Sequence, residues 1–317
     1  MAVHTKLSNA NIEEVLLGYK LGKLLKSKGI KEGIENTNYL LETNKDKFIL
    51  TIFENRVNTS QIPFFIEVMI NSSSFGIDCP IPIKDKNGEY VNIVKKKKMA
   101  IFNFLKGNSK KVWTQEDCFL VGEKLARFHF ANKKSRNSCQ NNFGISYWKK
   151  ILKKCENNLN KIIPNSETII KNEIEYIASN WPQNLPMGII HADLFPDNVF
   201  FDKKRISGFL DFYFACNDFL LYDLAITINA WCFRNKKFEM NFFDSLMRGY
   251  ESIRQLNRNE KRNINVLLRG ATLRFLSTRI YDSIFINENK FTKKKDPSEF
   301  FNILLFHMKR TNKDYLF

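Results

Sequence analysis

The sequence predicts an α+β chain of two unequal lobes: a small antiparallel sheet with one helix over residues 1–105, then a larger, mainly helical lobe over 106–317. Three observations carry that prediction. Short β-favouring runs crowd the first hundred residues. Helical spacing of apolar residues dominates after Thr114. A hairpin pattern, runs 199–201 and 206–210 about the polar turn 202–205, interrupts the helical half. With 317 residues, 44% of them hydrophobic, the chain can bury a large core.

Taken in order, 24–30, 38–43 and 48–53 read as strands, with 44–47 as a tight turn. Residues 64–75 have helical spacing and carry Glu67; the prolines in 79–83 force an extended segment. Residues 99–105 form a buried strand that stops before Gly107, a natural link between lobes. Thr114 with Asp117 three residues on is a helix start, and the helix it opens makes His129 a core residue. Further helices are expected near 147–159, 167–179, 220–233, 242–256, 263–286 and 300–309.

The stretch His191-Ala192-Asp193-Leu194-Phe195-Pro196-Asp197-Asn198, with Asp211 ending the next apolar run, carries the chemistry. Residues 187–190 form a strand ahead of it and the hairpin lies behind it. A turn centred between Lys203 and Lys204 sets Asn198 beside the residues just before Asp211, so an amide oxygen and a carboxylate meet at one end. Both suit one hard cation, and Asp193 on the entering loop can align a hydroxyl against a metal-bound nucleotide. The spacing therefore points to phosphoryl transfer. Given such a site, the loop from Gly29 through Gly33 and Asn36 becomes a candidate phosphate cradle, although an ordinary hairpin loop has the same residues. The backbone of Phe102, Asn103, Phe104 and Leu105 is the matching candidate for pairing with a purine, the other reading being an edge strand leaving its sheet.

Composition excludes several alternatives. The net charge of +17, with lysine runs at 95–98 and 293–295, comes without a zinc-finger, RNA-recognition or helix-turn-helix pattern. The runs are read as solvated loops, and no nucleic-acid partner is expected. The cysteines at 79, 118, 139, 155, 216 and 232 and the four histidines lack metal-ligand spacing. They predict reduced core thiols. No secretory signal and no membrane segment is evident, which places the expected site of action in the cytoplasm.

These residues resemble the small-molecule kinases of the aminoglycoside phosphotransferase and choline kinase group, relatives of eukaryotic-type protein kinases, and more narrowly the bacterial homoserine kinases of that fold. The resemblance rests on Gly-Ile-Glu-Asn-Thr-Asn-Tyr-Leu-Leu over 33–41, Phe-Ile-Leu-Thr-Ile-Phe-Glu over 48–54 and Ile-Ile-His-Ala-Asp-Leu-Phe-Pro-Asp-Asn-Val-Phe-Phe over 189–201. It continues through Asp-Phe-Tyr-Phe-Ala-Cys over 211–216, Tyr-Asp-Leu-Ala-Ile over 222–226, Asn-Ala-Trp-Cys-Phe over 229–233 and Arg-Gly-Ala-Thr-Leu-Arg-Phe-Leu over 269–276, spanning nearly the whole chain. It implies a two-lobed protein-kinase-like fold and ATP-dependent phosphorylation of the side-chain hydroxyl of L-homoserine, a step of threonine synthesis. Asp193 would accept the hydroxyl proton, Asn198 and Asp211 would hold Mg2+, and His191 would support the loop. Asp223 would be a buried brace for that loop, or alternatively an exposed helix cap.

The chain also departs from the kinase pattern. Thr51 stands where a third-strand lysine would fall; Arg56, with Glu67 as its partner, is a substitute unless both are surface charges. Asp211-Phe212-Tyr213 lacks the following glycine and no Ala-Pro-Glu segment exists, which points to metabolites rather than proteins as substrates. The carboxylate and ammonium of homoserine call for a cation and an acceptor, with Tyr213, Asn229, Arg269 and Arg274 as candidates; the two arginines could equally be helix-surface charges. A kinase for choline, an aminoglycoside or a methylthio-sugar is the competing enzyme. A silent nucleotide sensor and a nucleic-acid binder are the alternatives from other classes, and intact Asp193, Asn198 and Asp211 argue against silence.

Overall fold

Helix α1 (Asn9–Leu17) opens the chain in the computed structural model, which describes residues 4–30, 36–54, 58–133, 135, 137–286 and 294–315. A reciprocal cap starts it: Ser8 Oγ accepts from the Asn11 N–H, and the Asn11 side chain accepts from the Ser8 N–H, both at 3.2 Å. This helix was not expected from the sequence. Strands β1 (Leu24–Gly29), β2 (Thr37–Thr43), β3 (Lys47–Ile52), β4 (Asn92–Val94) and β5 (Lys97–Asn103) pair antiparallel in the order β1-β2-β3-β5-β4. Side chains alternate between the two faces, as the period of two requires. Tyr39, Leu41, Leu50, Ile52, Met99 and Ile101 pack with Ile12 and Leu16 of α1. Ala100 and Phe102 turn the other way, toward α2 (Ile62–Ser74) and the main core.

The lysine run at 95–98 is not all solvated loop. Lys95 and Lys96 make the β4–β5 turn with φ of 46° and 64°, whereas Lys97 and Lys98 open β5. Lys97 Nζ meets the carboxylate of Glu54, which also accepts from the hydroxyls of Thr5 and Thr37 at 2.7 Å each.

Beyond β5, Gly107 adopts φ +108°, where a Cβ would meet Phe201 O at 2.6 Å. A side chain would not fit. Strand β6 (Asn108–Ser109) follows, then α3 (Gln115–Ala131), capped reciprocally by Thr114 and Asp117 as the sequence predicts. Helices α4 (Ile145–Cys155), α5 (Leu159–Ile162) and α6 (Ser166–Asn180) lead to β7 (Met187–Ile190). The hairpin of β8 (Val199–Asp202) and β9 (Arg205–Phe209) pairs with β6 on one side, and β10 (Cys216–Phe219) pairs with β7. Helix α7 (Leu220–Trp231) is buried almost all round, the mark of a helix at the centre of a domain. After it come the small ladder β11 (Phe233–Arg234) and β12 (Lys237–Phe238), then α8 (Met240–Glu251), α9 (Arg258–Lys261), α10 (Ile264–Phe285) and α11 (Pro297–Met308).

Helices α3 and α8 cross at backbone distance. A Cβ on Gly122 would meet Leu246 O at 2.0 Å, and one on Gly249 would meet Phe119 O at 2.0 Å. All six cysteines are buried and unpaired. Among the described residues no helix is long and apolar enough to cross a membrane.

Candidate active site

The four residues from His191 to Leu194 leave β7 with five of their eight main-chain polar groups held by side chains from elsewhere in the chain. The N–H groups of His191 and Ala192 donate to the two oxygens of Asp223 on α7, at 2.7 and 2.8 Å. Ala192 O accepts from Arg274 Nη1 on α10, Asp193 O accepts from Asn198 Nδ2 at 2.8 Å, and Leu194 O accepts from Trp231 Nε1 at 2.9 Å. Ala192 sits at φ +63°, a left-handed conformation that costs a non-glycine residue energy and persists only under such restraint. The loop is therefore over-determined, and Asp193 is carried on a rigid support.

The hairpin supplies the rest of the site. Asp202 pairs with Arg205, so the turn is Lys203-Lys204 as expected from the sequence, but a bulge between Phe200 and Phe201 shifts the outer pairs by one residue, so that Val199 pairs with Phe209. Leu210 N–H donates to Asn198 O at 2.9 Å, which brings Asn198 next to Asp211. The Asn198 amide gives its Nδ2 to Asp193 Oδ2 at 2.9 Å as well as to Asp193 O, which turns its Oδ1 away from Asp193. Asp211 adopts φ 60° and ψ 61° as the chain leaves the hairpin. An amide oxygen and a carboxylate brought together by a hairpin end are hard donors of the type a magnesium ion takes.

His191 is fully buried, and burial holds its imidazole below its usual pKa. The ring is neutral, so Nε2–H donates to Leu210 O at 2.9 Å and ties the loop to the hairpin end. Desolvation pushes the Asp193 carboxyl up to about 8; Arg274 opposes it, Asp211 and Asp197 add to it, and Lys295 opposes it. Asp223 behaves differently. Burial works against its charge, yet the bond from His129 and the neighbouring imidazole and N–H of His191 hold its carboxyl below the usual range. An exposed cap is ruled out, since Asp223 is 0% exposed.

Several expected contacts are corrected. Asn229 is committed on all sides: Nδ2 donates to Leu268 O and Thr272 Oγ1, both at 3.0 Å, and Oδ1 faces His307 Nε2 at 2.8 Å. Arg269 is locked in a buried two-bond ion pair with Glu173 and stacked over Tyr176 at 4.1 Å. Asn229 has no polar atom left for substrate, and the ion pair commits Arg269 to Glu173. Tyr213 packs its ring against Phe53 and Phe65, at 5.6 and 5.7 Å. Thr51 donates to Asn38 Oδ1 at 2.8 Å, so a neutral hydroxyl fills the position of the missing lysine. Only Arg274 of these candidates stands beside Asp193, packed by Phe275 at 4.5 Å, Phe143 at 5.4 Å and Phe214 at 5.7 Å.

On the nucleotide side, Asn36 is buried and its Oδ1 accepts the Glu54 N–H at 3.3 Å, a brace within the sheet. Phe102 pairs with Ile49 on one side and Pro82 on the other, and Asn103 gives its N–H to Ile81 O at 3.1 Å. Their backbone groups are used by the sheet. Phe104 and Leu105 lie past the ladder. Gly33 and Arg56 fall outside the described residues, and Glu67 bonds Ser135 and Asn137. His129, Trp231 and Lys295 were not expected at the site. His129 Nε2 meets Asp223 Oδ2 at 3.0 Å across 94 residues, and no local spacing signals such a partner.

The sequence pattern of the phosphotransferase enzyme family matches residues 26–258. The homoserine kinase of Xanthobacter autotrophicus is 39% identical over 308 residues, covering 97% of this chain and 96% of the relative. That of Brucella anthropi is 40% identical over 309 residues, covering 97% and 94%. Among solved structures, an amicoumacin kinase in complex with AMP-PNP, Ca2+ and its antibiotic superposes with TM-score 0.71 at 16% identity, over 98% of this chain and 94% of that one. A spectinomycin phosphotransferase with ADP and spectinomycin gives 0.70 at 12% identity, over 97% and 96%. The structures establish the kinase-like α+β fold, and the nearly full-length relatives go further: the chain belongs to the phosphotransferase enzyme family and, within it, to the homoserine kinases.

Proposed function

We propose that this enzyme transfers the γ-phosphoryl group of ATP to the side-chain hydroxyl of L-homoserine in the cytoplasm, with residues 1–105 covering the nucleotide and 106–317 carrying the reacting groups. The observation that carries this reading is the position of Asn198. One residue bonds Asp193 through its side chain and sits beside Asp211 through its backbone, so proton acceptor and cation ligands share a single rigid frame. Asn198 and Asp211 would hold Mg2+, which would supply positive charge to offset the negative charge developing on the transferred phosphoryl group. Asp193 orients the homoserine hydroxyl; its oxygen bonds to the γ-phosphorus as the bond to the β,γ-bridging oxygen breaks, ADP leaves, and the proton passes to the Asp193 carboxylate. Arg274, held between Ala192 O and three aromatic rings, would pair with the substrate carboxylate. Phe104 and Leu105 are the residues left to pair with the purine.

A coupled ADP-release assay over amino acids, choline, sugars and aminoglycosides tests the assignment. Magnesium-dependent turnover is expected with homoserine; turnover only with another acceptor would overturn the substrate. Asp193→Asn is expected to lower kcat by at least about a thousandfold while ATP affinity stays near wild type, and full activity in that variant would remove Asp193 from the reaction.

A further inference from the structure

The brace beneath the reacting loop does not end at Asp223. His129 Nδ1 lies 2.8 Å from the hydroxyl of Tyr250, that hydroxyl accepts from Arg254 Nη1 at 3.2 Å, and Arg254 Nη2 donates to Glu260 Oε1 at 2.7 Å. Tyr250 and Glu260 are fully buried, and Glu260 is held in turn by the Asn257 N–H at 3.0 Å. The polarity of the chain follows from its ends. Arg254 can only donate, so the Tyr250 oxygen accepts there and its proton points at His129 Nδ1. That leaves the imidazole proton on Nε2, aimed at Asp223 Oδ2. Burial keeps His129 neutral, which permits this arrangement. The glycine crossing of α3 and α8 is what brings the phenol of one helix onto the imidazole of the other.

We propose that Tyr250 is a positioning residue for phosphoryl transfer: its hydroxyl fixes the orientation of the His129 ring that steadies Asp223, and Asp223 holds the His191 and Ala192 amides that carry Asp193. Without the hydroxyl, Nδ1 loses its donor while the Asp223 carboxylate still requires the Nε2 proton, so the ring keeps its tautomer but loses the bond that fixes its angle. The loop keeps its place in the fold but loses a fixed angle, and a misplacement on the ångström scale costs rate rather than affinity.

The inference uses the homoserine assay as its readout, and so rests on the proposed function; wild-type turnover is measured first, and its absence counts against that reading alone. Tyr250→Phe is expected to lower kcat about tenfold with the KM values for ATP and homoserine unchanged. His129→Gln, which retains a donor for Asp223, gives the second arm. If the hydroxyl acts through His129, adding Tyr250→Phe to His129→Gln lowers kcat no further. In wild-type protein labelled with 15N at histidine, His129 should show an Nε2–H, Nδ1-acceptor pattern, and in Tyr250→Phe the Nδ1 signal should shift while the tautomer is kept. An unchanged kcat in Tyr250→Phe overturns the proposal. So do additive effects in the double variant. A wild-type His129 protonated at Nδ1 overturns it even if neither variant folds.

Discussion

Two buried carboxylates organise the two halves of this molecule by different means. Asp223 spends both oxygens on main-chain N–H groups, those of His191 and Ala192, and takes a third bond from a neutral imidazole. Glu54 takes its bonds from the hydroxyls of Thr5 and Thr37 and from the Lys97 ammonium. Main-chain donors have fixed directions, so Asp223 dictates where the backbone ahead of Asp193 runs. Hydroxyls rotate and a lysine stem bends, so Glu54 fastens the N-terminal segment to β2 without aiming any reacting group. Both carboxyls lie below their usual range although burial opposes this, because in each case the donors outweigh it. What differs is the cargo: a reaction geometry in one case, a chain terminus in the other.

Of substitutions at or around the two carboxylates, the largest effect should come from Asp223→Asn. An amide has one accepting oxygen, so its NH2 group must face either the Ala192 N–H or the pair of donors from His191 and His129. We expect kcat to fall about a hundredfold and the unfolding free energy by about 3 kcal/mol, read from steady-state kinetics and urea denaturation. Wild-type kcat in this variant would separate Asp223 from the loop's geometry, and the contrast with Glu54 would be lost.

That contrast also marks how far the sequence could be read. The site's spine, His191 to Asp211, was legible because its geometry is local: a short strand, a two-residue turn and the period of a hairpin place Asn198 beside the residues just before Asp211 with no knowledge of the rest of the fold, although not the bulge at Phe200 and Phe201 that sets the final register. The flanks were not. Asn229 and Arg269 look like ligand groups on paper, and their consumption by His307 and Glu173 depends on contacts 78 and 96 residues away. Arg274 is five positions from Arg269 on the same helix, and nothing in the spacing separates the residue that faces the loop from the one that faces α6. In the small lobe the capping pair Ser8 and Asn11 ahead of Ile12 and Leu16 went unread, because Asn rather than Glu or Gln stands at the third helical position. Lys97 was not readable as a buried-carboxylate partner, because it lies within a run of four lysines whose strand register only the fold reveals.

Glu54→Gln comes next in size. The substitution removes the charge while keeping the shape, and the Lys97 ammonium can turn to solvent, so a loss of about 1–3 kcal/mol in unfolding free energy is expected with kcat unchanged. A drop in kcat would show that the terminus does reach the reaction. Acid provides an independent check. The folded carboxyl lies below its ordinary 4.5, so the charge contributes stability above that value and loses it as pH falls through the folded pKa. The gap between wild type and Glu54→Gln should therefore be full at neutral pH and shrink at about pH 4 and below; a constant gap would mean that packing, not charge, is what Glu54 contributes.

Lys97→Met should have the smallest effect. It leaves both hydroxyl donors on Glu54, and the lysine side chain is 35% exposed, so water already screens its half of the pair. A loss of about 0.5 kcal/mol by urea denaturation is expected. If Lys97→Met instead costs as much as Glu54→Gln, the ammonium rather than the hydroxyls holds the N-terminal segment. The small-lobe carboxylate would then depend on one dominant partner, and the distinction between an adaptable anchor there and a directional one at Asp223 would have to rest on the main-chain amides alone.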